Sequence, residues 1–399
     1  MRIVFLSASG QLGGAERVLL DLLASLRAAK PGWSLHVVVA GEGPLAGAAL
    51  ELGAVVHAFA FPTGLRRAGD AGGSGVLLLR RLIAAGPAGA RWLTRLRALL
   101  RRLDPDVVHS NGFKMHVAGA LALPPEARLV WHAHDYVSPR RVMARALRRL
   151  APRASAAVAI SRSVAGDVRR VCGPGLRVEV VYNAVDLARF HPDGPRAPLD
   201  ELAGMPSASP ETVRVGLVAT MGLWKGHDVF LRALSLLPPE LPVRGYVVGG
   251  RIYATAGSEV DPDALRRLAA ELGIAERVGF TGFVDDPAAA MRALDVVVHA
   301  STQPEPFGLV IAEAMACGRP VVVSTAGGAG EIAREGIDAL GVPPGDAAAL
   351  AAAIRRLVED TTLRARLGAE GRARAERDFD RARLAGELVP LYRSLAGSG

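Results

Sequence analysis

The sequence predicts an α/β protein with two doubly wound domains that face each other across a cleft. Short apolar runs of strand length alternate with amphipathic helical segments in the first half of the chain. The same alternation restarts after a segment rich in Pro, Gly and Ser at 191–212. With 399 residues, the chain is long enough for two domains with separate cores. Parallel sheets of this kind bind ligands at the carboxyl ends of their strands.

The first domain is predicted to be Rossmann-like and to span residues 1–195. Its first helix, Ala15–Ala29, has leucines at helical spacing on one face. Its strands are predicted at Arg2–Ser7, Leu35–Ala40, Val55–Phe61, Asp106–His109, Arg128–His132, Ala156–Ser161 and Val178–Tyr182.

The second domain is predicted at 213–380, after a linker at 196–212. We expect the last residues, 381–399, to form a helix that packs back on the first domain. Asp261 and Pro262 indicate the start of a helix, because Asp is a good N-cap and Pro suits the first helical position. Strands are predicted at Val213–Ala219, Val243–Val248, Val278–Thr281, Val296–Ala300 and Pro320–Ser324.

The composition argues against several classes of protein. Cys172 and Cys317 lie far apart in no metal-ligand spacing, so we expect neither a disulfide framework nor a zinc site, and we predict a cytoplasmic location. No signal peptide is recognisable after Met1, and no uncharged apolar run has the length of a membrane span. Nucleic acid is not expected as a partner, because aromatic residues make up only 5% of the chain and no nucleic-acid module is recognisable.

Positive charge is concentrated in the first half of the chain. Residues 1–197 contain 27 Lys/Arg and 13 Asp/Glu, whereas residues 198–399 contain 21 and 26. Two runs, 76–103 and 136–166, each carry seven arginines and no acidic residue. They predict contact with an anionic membrane surface at the inner face of the cell membrane. The alternative is that both runs are helices packed on the sheet with solvated basic faces.

Lys225 is the only lysine in the second half, in a chain with 45 arginines. It lies in a loop between Gly222 and Gly226, after a strand and before a helix. An ammonium group on a flexible chain suits a diphosphate and can neutralise a phosphate leaving group. The alternative is an exposed lysine without a role. The loop is not a Walker A loop, because its glycines are in a different order.

Two glutamates, Glu305 and Glu313, bracket the start of a predicted helix at Leu309–Cys317. This helix follows a buried strand, so its first backbone N–H groups point towards the carboxyl edge of the sheet and suit an anion. Carboxylates beside an anion site fit hydroxyl groups that are attached to the anion. The stretch therefore predicts a site for a sugar nucleotide.

Three other loops carry polar or glycine residues at strand ends. Gly13 and Gly14 bring the backbone close to a ligand or only form a tight turn. His109 and His134 follow successive strands, which favours a polar site over two structural histidines. No cysteine or further carboxylate has matching spacing, so we expect no metal there. The glycine-rich loop 326–331 either lines the nucleotide pocket or only makes a turn.

The segment 305–322 resembles the E-x7-E signature of retaining glycosyltransferases of family 4, which have the GT-B fold. The resemblance extends over nearly the whole chain. Residues 13–17 are similar to the family's G-G-A-E-R loop, and residues 182–186 to its N-G-V-D segment. Residues 224–226 resemble its K-G loop, and residues 327–331 its G-G-x-x-E loop.

The resemblance implies a role for each matched residue. Three residues would be catalytic: His134 would lie near the anomeric centre, Lys225 would neutralise the leaving phosphate, and Glu305 would contact the hydroxyls of the donor sugar. Glu313 would bind the ribose of the nucleotide. The implied donor-binding set is Thr220, Gly222, Lys225, Arg251, Glu305, Phe307, Gly308, Leu309, Val310 and Glu313. The implied loop for acceptor and phosphate contains Gly13, Gly14 and Asn183.

The sequence departs from the family pattern at two positions. The family carries an arginine about five residues before the loop lysine, where this chain has Ala219 and Thr220. Arg251 is the candidate substitute for that charge. Ala184 also replaces the glycine of the N-G-V-D segment.

The predicted function is that of a retaining, metal-independent glycosyltransferase of EC 2.4 type, without a cofactor. Its donor would be a nucleotide-diphosphate sugar, and its acceptor a lipid-linked, polysaccharide or small-molecule hydroxyl, as in synthesis of a cell envelope polysaccharide. One alternative is a sugar-nucleotide epimerase of the same fold, which would release an epimer without an acceptor. Another is a non-catalytic protein that binds the donor without transfer.

Overall fold

The structure, a computed structural model, describes residues 1–61, 86–250 and 259–397. The chain divides into two compact units. Unit 1 comprises Met1–Asn183 and Arg381–Gly399, and unit 2 comprises Ala184–Asp380. Among the residues that the structure describes, each unit contains one sheet whose paired strands all run parallel. The predicted α/β fold with two doubly wound units is therefore confirmed.

Unit 1 is built on a seven-stranded sheet with the order β3-β2-β1-β4-β5-β6-β7. Its central strands are buried along their length and consist largely of Val, Ile, Leu and Ala, as expected for a parallel sheet covered on both faces. The strands are β1 (Arg2–Ser7), β2 (Ser34–Val39), β3 (Val55–Ala58), β4 (Val107–Asn111), β5 (Arg128–Ala133), β6 (Ala156–Ala159) and β7 (Val178–Val180).

The helices of unit 1 connect successive strands. Those in the described part of the unit are α1 (Gly14–Ala29), α2 (Leu45–Glu51), α3 (Gly86–Leu103), α4 (Phe113–Ala122), α5 (Arg141–Leu150) and α6 (Arg162–Cys172). In α3, the part of the run 76–103 that the structure describes, Trp92, Leu96 and Leu100 are buried while the arginines are exposed. In α5, Leu147 is buried and Val142 is half exposed.

The last helix of the chain belongs to unit 1. The segment Arg383–Ala396 packs on α1, where Ser25 Oγ donates to the Ala382 carbonyl at 3.1 Å and accepts from Ala385 N at 3.0 Å. Its Tyr392 is completely buried and lies beside Trp33. This helix, with the residues of the predicted return segment, thus covers the part of α1 that carries Ser25.

Unit 2 is built on a six-stranded sheet with the order β10-β9-β8-β11-β12-β13. Its strands are β8 (Val213–Val218), β9 (Val243–Val248), β10 (Val278–Gly282), β11 (Val296–His299), β12 (Val321–Ser324) and β13 (Leu340–Val342). The sequence did not predict β13, which is only three residues long.

The helices of unit 2 lie between and after these strands. They are α7 (Leu199–Leu202), α8 (His227–Ser235), α9 (Pro262–Glu271), α10 (Pro287–Ala293), α11 (Leu309–Ala316), α12 (Ala329–Ile332), α13 (Ala347–Glu359) and α14 (Thr361–Arg374), and the helix Arg383–Ala396 of unit 1 is α15. The Asp261 carboxylate caps α9 as predicted, since it accepts from Asp263 N.

Both sheets change winding direction at a defined pair of strands. In unit 1 the chain leaves the β3 edge and returns as β4 on the other side of β1, and in unit 2 it leaves β10 and returns as β11 beside β8. The loops after β1 and β4, and those after β8 and β11, therefore diverge and leave a crevice at the carboxyl edge. The sequence-predicted site residues with catalytic roles follow these strands or their neighbours.

The segment predicted as a linker is part of unit 2. The boundary between the units lies at Asn183, not at 195, and 196–212 includes helix α7. Its Asp200 carboxylate accepts from Arg244 Nη1 at 2.7 Å, from Arg214 Nη2 at 3.3 Å and from Tyr246 OH. Because these partners lie on β8 and β9, the segment is fixed to the sheet. Its Pro, Gly and Ser content correctly indicated little regular structure but could not show these contacts.

Replacing Asp200 by alanine is expected to lower the free energy of unfolding by about 3 kcal/mol at pH 7, because it leaves Arg214 and Arg244 without their shared carboxylate. Burial raises the pKa of Asp200, but the hydrogen bonds from Tyr246, Ala208 N and Arg244 outweigh it and hold the pKa below its ordinary value. The stabilisation is therefore present above the unfolded pKa near ~4 and is lost as the pH falls towards the lower folded pKa.

Chemical denaturation of wild type and the Asp200→Ala variant at pH 7 and at pH 3 measures this difference. Asp193→Ala is the matched control, since Asp193 is an exposed carboxylate in the same region of the chain. Equal unfolding midpoints for wild type and Asp200→Ala at pH 7 would contradict the expectation.

Candidate active site

The loop after β8 is held against the end of β11 in unit 2. Residues Leu223–Lys225 form one 3-10 turn, and Gly226 follows with a φ of +72°. A Cβ atom at Gly226 would lie 1.9 Å from the Ala300 carbonyl oxygen, so only glycine fits there. Thr302 N also donates to the Trp224 carbonyl at 2.8 Å. These contacts fix the position of Lys225 relative to the loop after β11.

Lys225 and Glu305 form an ion pair in this position. Lys225 Nζ lies 2.8 Å from Glu305 Oε2, and the two side chains are 20% and 12% exposed. Ser301 Oγ donates to the same carboxylate oxygen at 2.8 Å, and His299 Nε2 lies 3.5 Å from it. Three polar groups thus converge on one oxygen of Glu305.

The Glu305 carboxyl is held in its ionised form. Burial by itself raises the pKa of Glu305, but the positive charge of Lys225 and the hydrogen bond from His299 outweigh this effect, so that the pKa lies below its ordinary value. The hydroxyl hydrogen of Ser301 points to Glu305, so the contact of 3.1 Å between Ser301 Oγ and His299 Nε2 needs a hydrogen on the imidazole. His299 and Ser301 therefore form a donor chain that ends on Glu305.

The glycine-rich loop 326–331 lies beside Glu305. Glu305 N donates to the Ala326 carbonyl at 3.1 Å, and Gly328 N donates to the Glu305 carbonyl at 2.7 Å. The loop makes a turn and positions the backbone of Glu305, whereas its predicted place in the nucleotide pocket stays a prediction. Ser324, at the end of β12, donates from its hydroxyl to the Ser301 carbonyl at 2.6 Å. This bond connects the end of β12 to the loop after β11.

Helix α11 begins next to this ion pair. Its N-cap is Gly308, whose φ of +89° lies in the left-handed region and whose Cβ would meet Ile311 Cδ1 at 2.7 Å. Phe307 is buried and packs edge to face on Phe379. The N–H groups of Leu309 and Val310, in the first turn, have no partner within the helix. Glu313 lies one turn further along the same helix.

The remaining donor residues of the prediction lie on the loop after β8. Gly222 N donates to the Thr220 carbonyl at 2.8 Å, and Lys225 N donates to the Gly222 carbonyl at 3.0 Å. Thr220 is partly exposed and Gly222 is buried. Arg251, the candidate substitute for the arginine of the family, lies outside the described residues.

In unit 1 the structure brings His134 close to the start of α1. Gly13 is the N-cap of α1, and Gly14 is its first residue. Asn111, at the end of β4, contacts both the first turn of α1 and His134. Burial raises the pKa of the neighbouring Glu16 above its ordinary value, and hydrogen bonds from backbone N–H groups offset it only in part.

Asn183 lies elsewhere in unit 1. It follows β7, and three strands of the sheet separate β7 from β1. Arg383 Nη2, from α15, donates to the Asn183 carbonyl at 2.8 Å. The order of the strands therefore does not place Asn183 beside Gly13 and Gly14.

His109 is part of a buried chain of side chains, not of a ligand-accessible surface. It is fully buried; its Nδ1 contacts Tyr392 OH at 2.8 Å and its Nε2 contacts His132 Nδ1 at 3.1 Å. Burial lowers the pKa of His132 to about 3 and that of His116 to about 3. The structural interpretation therefore holds for His109, while the ring of His134 packs on His132 with centroids 4.1 Å apart.

Sequence reasoning did not identify Ser301 and Asn111. Each lies at or just after the carboxyl end of a strand that borders a change in winding direction. Polar residues at such positions can indicate a ligand site, but only if the order of the strands in the sheet is known, and the local sequence pattern does not show that order.

Within 1–61, 86–250 and 259–397, no group of three or more His, Cys, Asp or Glu has an arrangement that could hold a metal ion. The helices of these ranges include none with the length and hydropathy needed to cross a membrane.

Comparison with known proteins identifies relatives among sugar-transferring enzymes. The D-inositol 3-phosphate glycosyltransferase of Salinispora tropica is 36% identical over 292 residues, which cover 70% of this chain and 58% of the relative. The chain thus matches little more than half the length of that protein. The D-inositol 3-phosphate glycosyltransferase of Xylanimonas cellulosilytica is 37% identical to this chain, and the match covers 59% of this chain and 56% of that protein.

Solved structures resemble the whole chain. Anabaena HepE in complex with UDP-glucose superposes with a TM-score of 0.79 and 27% identity, and the match covers 99% of this chain and 100% of HepE. Sucrose-phosphate synthase of Thermosynechococcus elongatus, at 22% identity and a TM-score of 0.76, covers 100% of both chains and shows the same fold.

Two family profiles match consecutive parts of the sequence. The profile for glycosyltransferase family 4 matches residues 12–189, and the profile for glycosyl transferases group 1 matches residues 207–374. Together they span most of both units, and the structural likeness to HepE extends over the whole chain. The resemblance inferred from the sequence is confirmed: the chain belongs to glycosyltransferase family 4 and has the GT-B fold.

Proposed function

We propose that this protein is a retaining glycosyltransferase that moves a sugar from a nucleotide-sugar donor to an acceptor hydroxyl. The observation that carries the proposal is the largely buried Lys225–Glu305 ion pair, at the point where the unit 2 sheet reverses its winding and next to the N-terminus of α11. The site combines a cation, an ionised carboxylate and backbone N–H groups. These groups suit a ligand that carries both phosphates and hydroxyls.

The donor would be held by unit 2. In the proposal, the N–H groups of Leu309 and Val310 bind the diphosphate, and Lys225 neutralises the charge that develops on the leaving phosphate. Glu305, fixed by Ser301 and Lys225, accepts hydrogen bonds from hydroxyls of the donor sugar. Glu313 binds the ribose.

The donor is proposed to be a UDP-sugar, because HepE, which resembles the chain over its whole length, binds UDP-glucose. The acceptor is proposed to be a hydroxyl of a polyol or sugar, in a small molecule or in a lipid-linked or polysaccharide chain, since relatives are named inositol 3-phosphate glycosyltransferases. Transfer would proceed with retention through an oxocarbenium-like state, in which the acceptor hydroxyl attacks from the face that the nucleotide leaves. Lys225 supplies the positive charge at the leaving group, without a metal ion.

Two measurements test the proposal. A thermal-shift screen of UDP-, GDP- and ADP-sugars with the full chain is expected to show stabilisation by a nucleotide sugar, because ligand binding to the native state raises the apparent stability. The stabilising donor is then incubated with polyol and sugar acceptors, and NMR of the product determines the anomeric configuration.

A product with the anomeric configuration of the donor supports the proposal. An inverted product contradicts retention, and release of an epimer from donor alone identifies an epimerase instead. Binding of a nucleotide sugar without transfer to any acceptor or to water identifies a non-catalytic binding protein.

Glu313→Gln is expected to weaken donor binding by about tenfold, because one hydroxyl contact loses its charged partner.

We also propose that the basic faces of unit 1 bind an anionic membrane surface. In α3 and α5 the arginines face outwards while Trp92, Leu96 and Leu147 point inwards, which leaves exposed positive charge without acidic residues in these helices. The full chain is expected to float with liposomes that contain anionic lipid at low salt and to dissociate at high salt. Flotation that is equal with neutral and anionic liposomes would contradict an electrostatic contact.

A further inference from the structure

Asn111, at the carboxyl end of β4, connects two other parts of unit 1. It is 3% exposed, and its Nδ2 donates to the Ala15 carbonyl in the first turn of α1 at 3.1 Å. Its Oδ1 contacts His134 Nε2. A backbone carbonyl can only accept a hydrogen bond, so the amide group that faces Ala15 must be the NH₂ of Asn111. The carbonyl oxygen of the amide therefore faces His134.

This orientation determines which nitrogen of His134 carries a hydrogen. The amide oxygen can only accept, so Nε2 of His134 must donate. Burial lowers the pKa of His134 well below its ordinary value, and the neighbouring His132, His116 and His109 lower it further, so that the ring is neutral at pH 7. A neutral imidazole with its hydrogen on Nε2 has its lone pair on Nδ1.

The surroundings of His134 support this state. The ring of His132 packs on it; His132 is held by a contact with His109, which in turn contacts the Tyr392 hydroxyl. The adjacent carboxylate, Asp135, is paired with Arg140 at 2.7 Å. In the part of the chain that the structure describes, no group donates a hydrogen bond to His134 Nδ1.

We propose that Asn111 is a positioning residue that fixes His134 as the Nε2–H tautomer, so that His134 Nδ1 accepts a hydrogen bond from a hydroxyl group of a sugar substrate. This inference rests on the proposed function. It makes His134 an acceptor of hydrogen bonds towards the substrate and excludes it as a donor there. The contact between β4 and the start of α1, where Gly13 and Gly14 lie, then serves to hold the Asn111 amide in the orientation that faces its oxygen towards His134.

NMR of the full chain labelled with ¹⁵N-histidine tests the tautomer directly. Loss of one set of signals in His134→Gln identifies His134. At pH 7 we expect Nε2 at the shift of a protonated nitrogen and Nδ1 at that of an unprotonated nitrogen. A hydrogen on Nδ1, alone or together with Nε2, overturns the proposal.

Two substitutions at Asn111 separate orientation from charge. Asn111→Leu removes both hydrogen bonds, and we expect mixed tautomer signals and a decrease in kcat on the order of tenfold or more, with the donor KM little changed. Asn111→Asp keeps an acceptor for Nε2, but its carboxylate favours the protonated ring. In this variant we expect both nitrogens of His134 to be protonated at a higher pH than in wild type, and activity to recover as the pH rises.

Ser110→Ala is the matched control, since it removes two buried hydrogen bonds from the same strand, one with His116 Nδ1 and one to the Val130 carbonyl, and leaves the side chains of His134 and Asn111 in place. Unchanged tautomer signals and unchanged kcat in Asn111→Leu overturn the proposal. A kcat in Ser110→Ala as low as in Asn111→Leu also overturns it, because the loss would then reflect general destabilisation.

The same variants show which substrate supplies the hydroxyl. If Asn111→Leu slows hydrolysis of the donor in the absence of acceptor as much as it slows transfer, the hydroxyl belongs to the donor sugar. If it slows transfer alone, the hydroxyl belongs to the acceptor. A wild-type chain that shows the expected tautomer but transfers no sugar contradicts the proposed function and the hydroxyl contact, while the assignment of the tautomer to Asn111 is retained.

Discussion

Replacing Lys225 by alanine is expected to reduce sugar transfer by about 10²–10³-fold, the loss typical when one charge-stabilising group is removed from a buried site. Lys225 Nζ lies 2.8 Å from Glu305, and the two side chains are mostly shielded from solvent. The substitution removes the cation proposed for the leaving phosphate. It also leaves the Glu305 carboxylate without its charged partner, so that the pKa of Glu305 rises. Steady-state kinetics with the donor found by thermal shift measures the effect.

The chain offers close controls for this experiment. Lys225→Arg keeps the charge and is expected to retain part of the activity, although the planar guanidinium does not reproduce the point charge of an ammonium. Lys30→Ala removes a lysine from unit 1 and is expected to have no effect on kcat. Because Lys225 and Glu305 form one pair, the double variant with Glu305→Gln should lose much less than the product of the two single losses. Full turnover of Lys225→Ala would rule out its phosphate role.

Replacing Gly226 by alanine is expected to destabilise unit 2 by at least about 2 kcal/mol and to abolish transfer. The new Cβ would lie 1.9 Å from the Ala300 carbonyl oxygen, and the backbone there has a φ of +72°. Either the loop or the end of β11 has to move, and each carries one member of the Lys225–Glu305 pair. Denaturation curves and donor-binding titrations measure the two effects.

Gly273 provides a matched control for the contact at Gly226. Its φ is +70°, almost the same value, but no atom lies within 4 Å of a Cβ built on it. Gly273→Ala therefore reports only the strain of a left-handed backbone, about 1 kcal/mol, and is expected to retain activity. If Gly226→Ala and Gly273→Ala lower the free energy of unfolding equally, the close approach to the Ala300 carbonyl does not contribute to the destabilisation.

The repeating strands were predictable because apolar runs of strand length are a local property of the sequence. Strands β1 and β9 match their predicted bounds, since β1 contains the buried apolar run 3–6 and β9 ends in the buried run 246–248. The short strand β13 was missed because three residues carry too little pattern. The role of 196–212 was missed for a different reason: Asp200 is fixed by arginines on strands that are remote in sequence.

The candidate site was predictable only in part. Lys225 stood out by its rarity, and Glu305 by its position between a strand and a helix, yet no local pattern showed that they form an ion pair. That pairing depends on the order of the strands, which places β8 beside β11. Ser301 and Asn111 were missed because one serine or asparagine at or just after a strand end is common, and its role depends on the groups that it contacts.

The division of the chain into units has a consequence for the order in which the protein is made. Unit 2 is one continuous segment, whereas unit 1 needs Arg381–Gly399 to be complete. During synthesis, unit 2 therefore has all its residues before unit 1 does. Until α15 emerges from the ribosome, the face of α1 around Ser25 lacks its cover, so unit 1 completes its packing after unit 2 has all its residues.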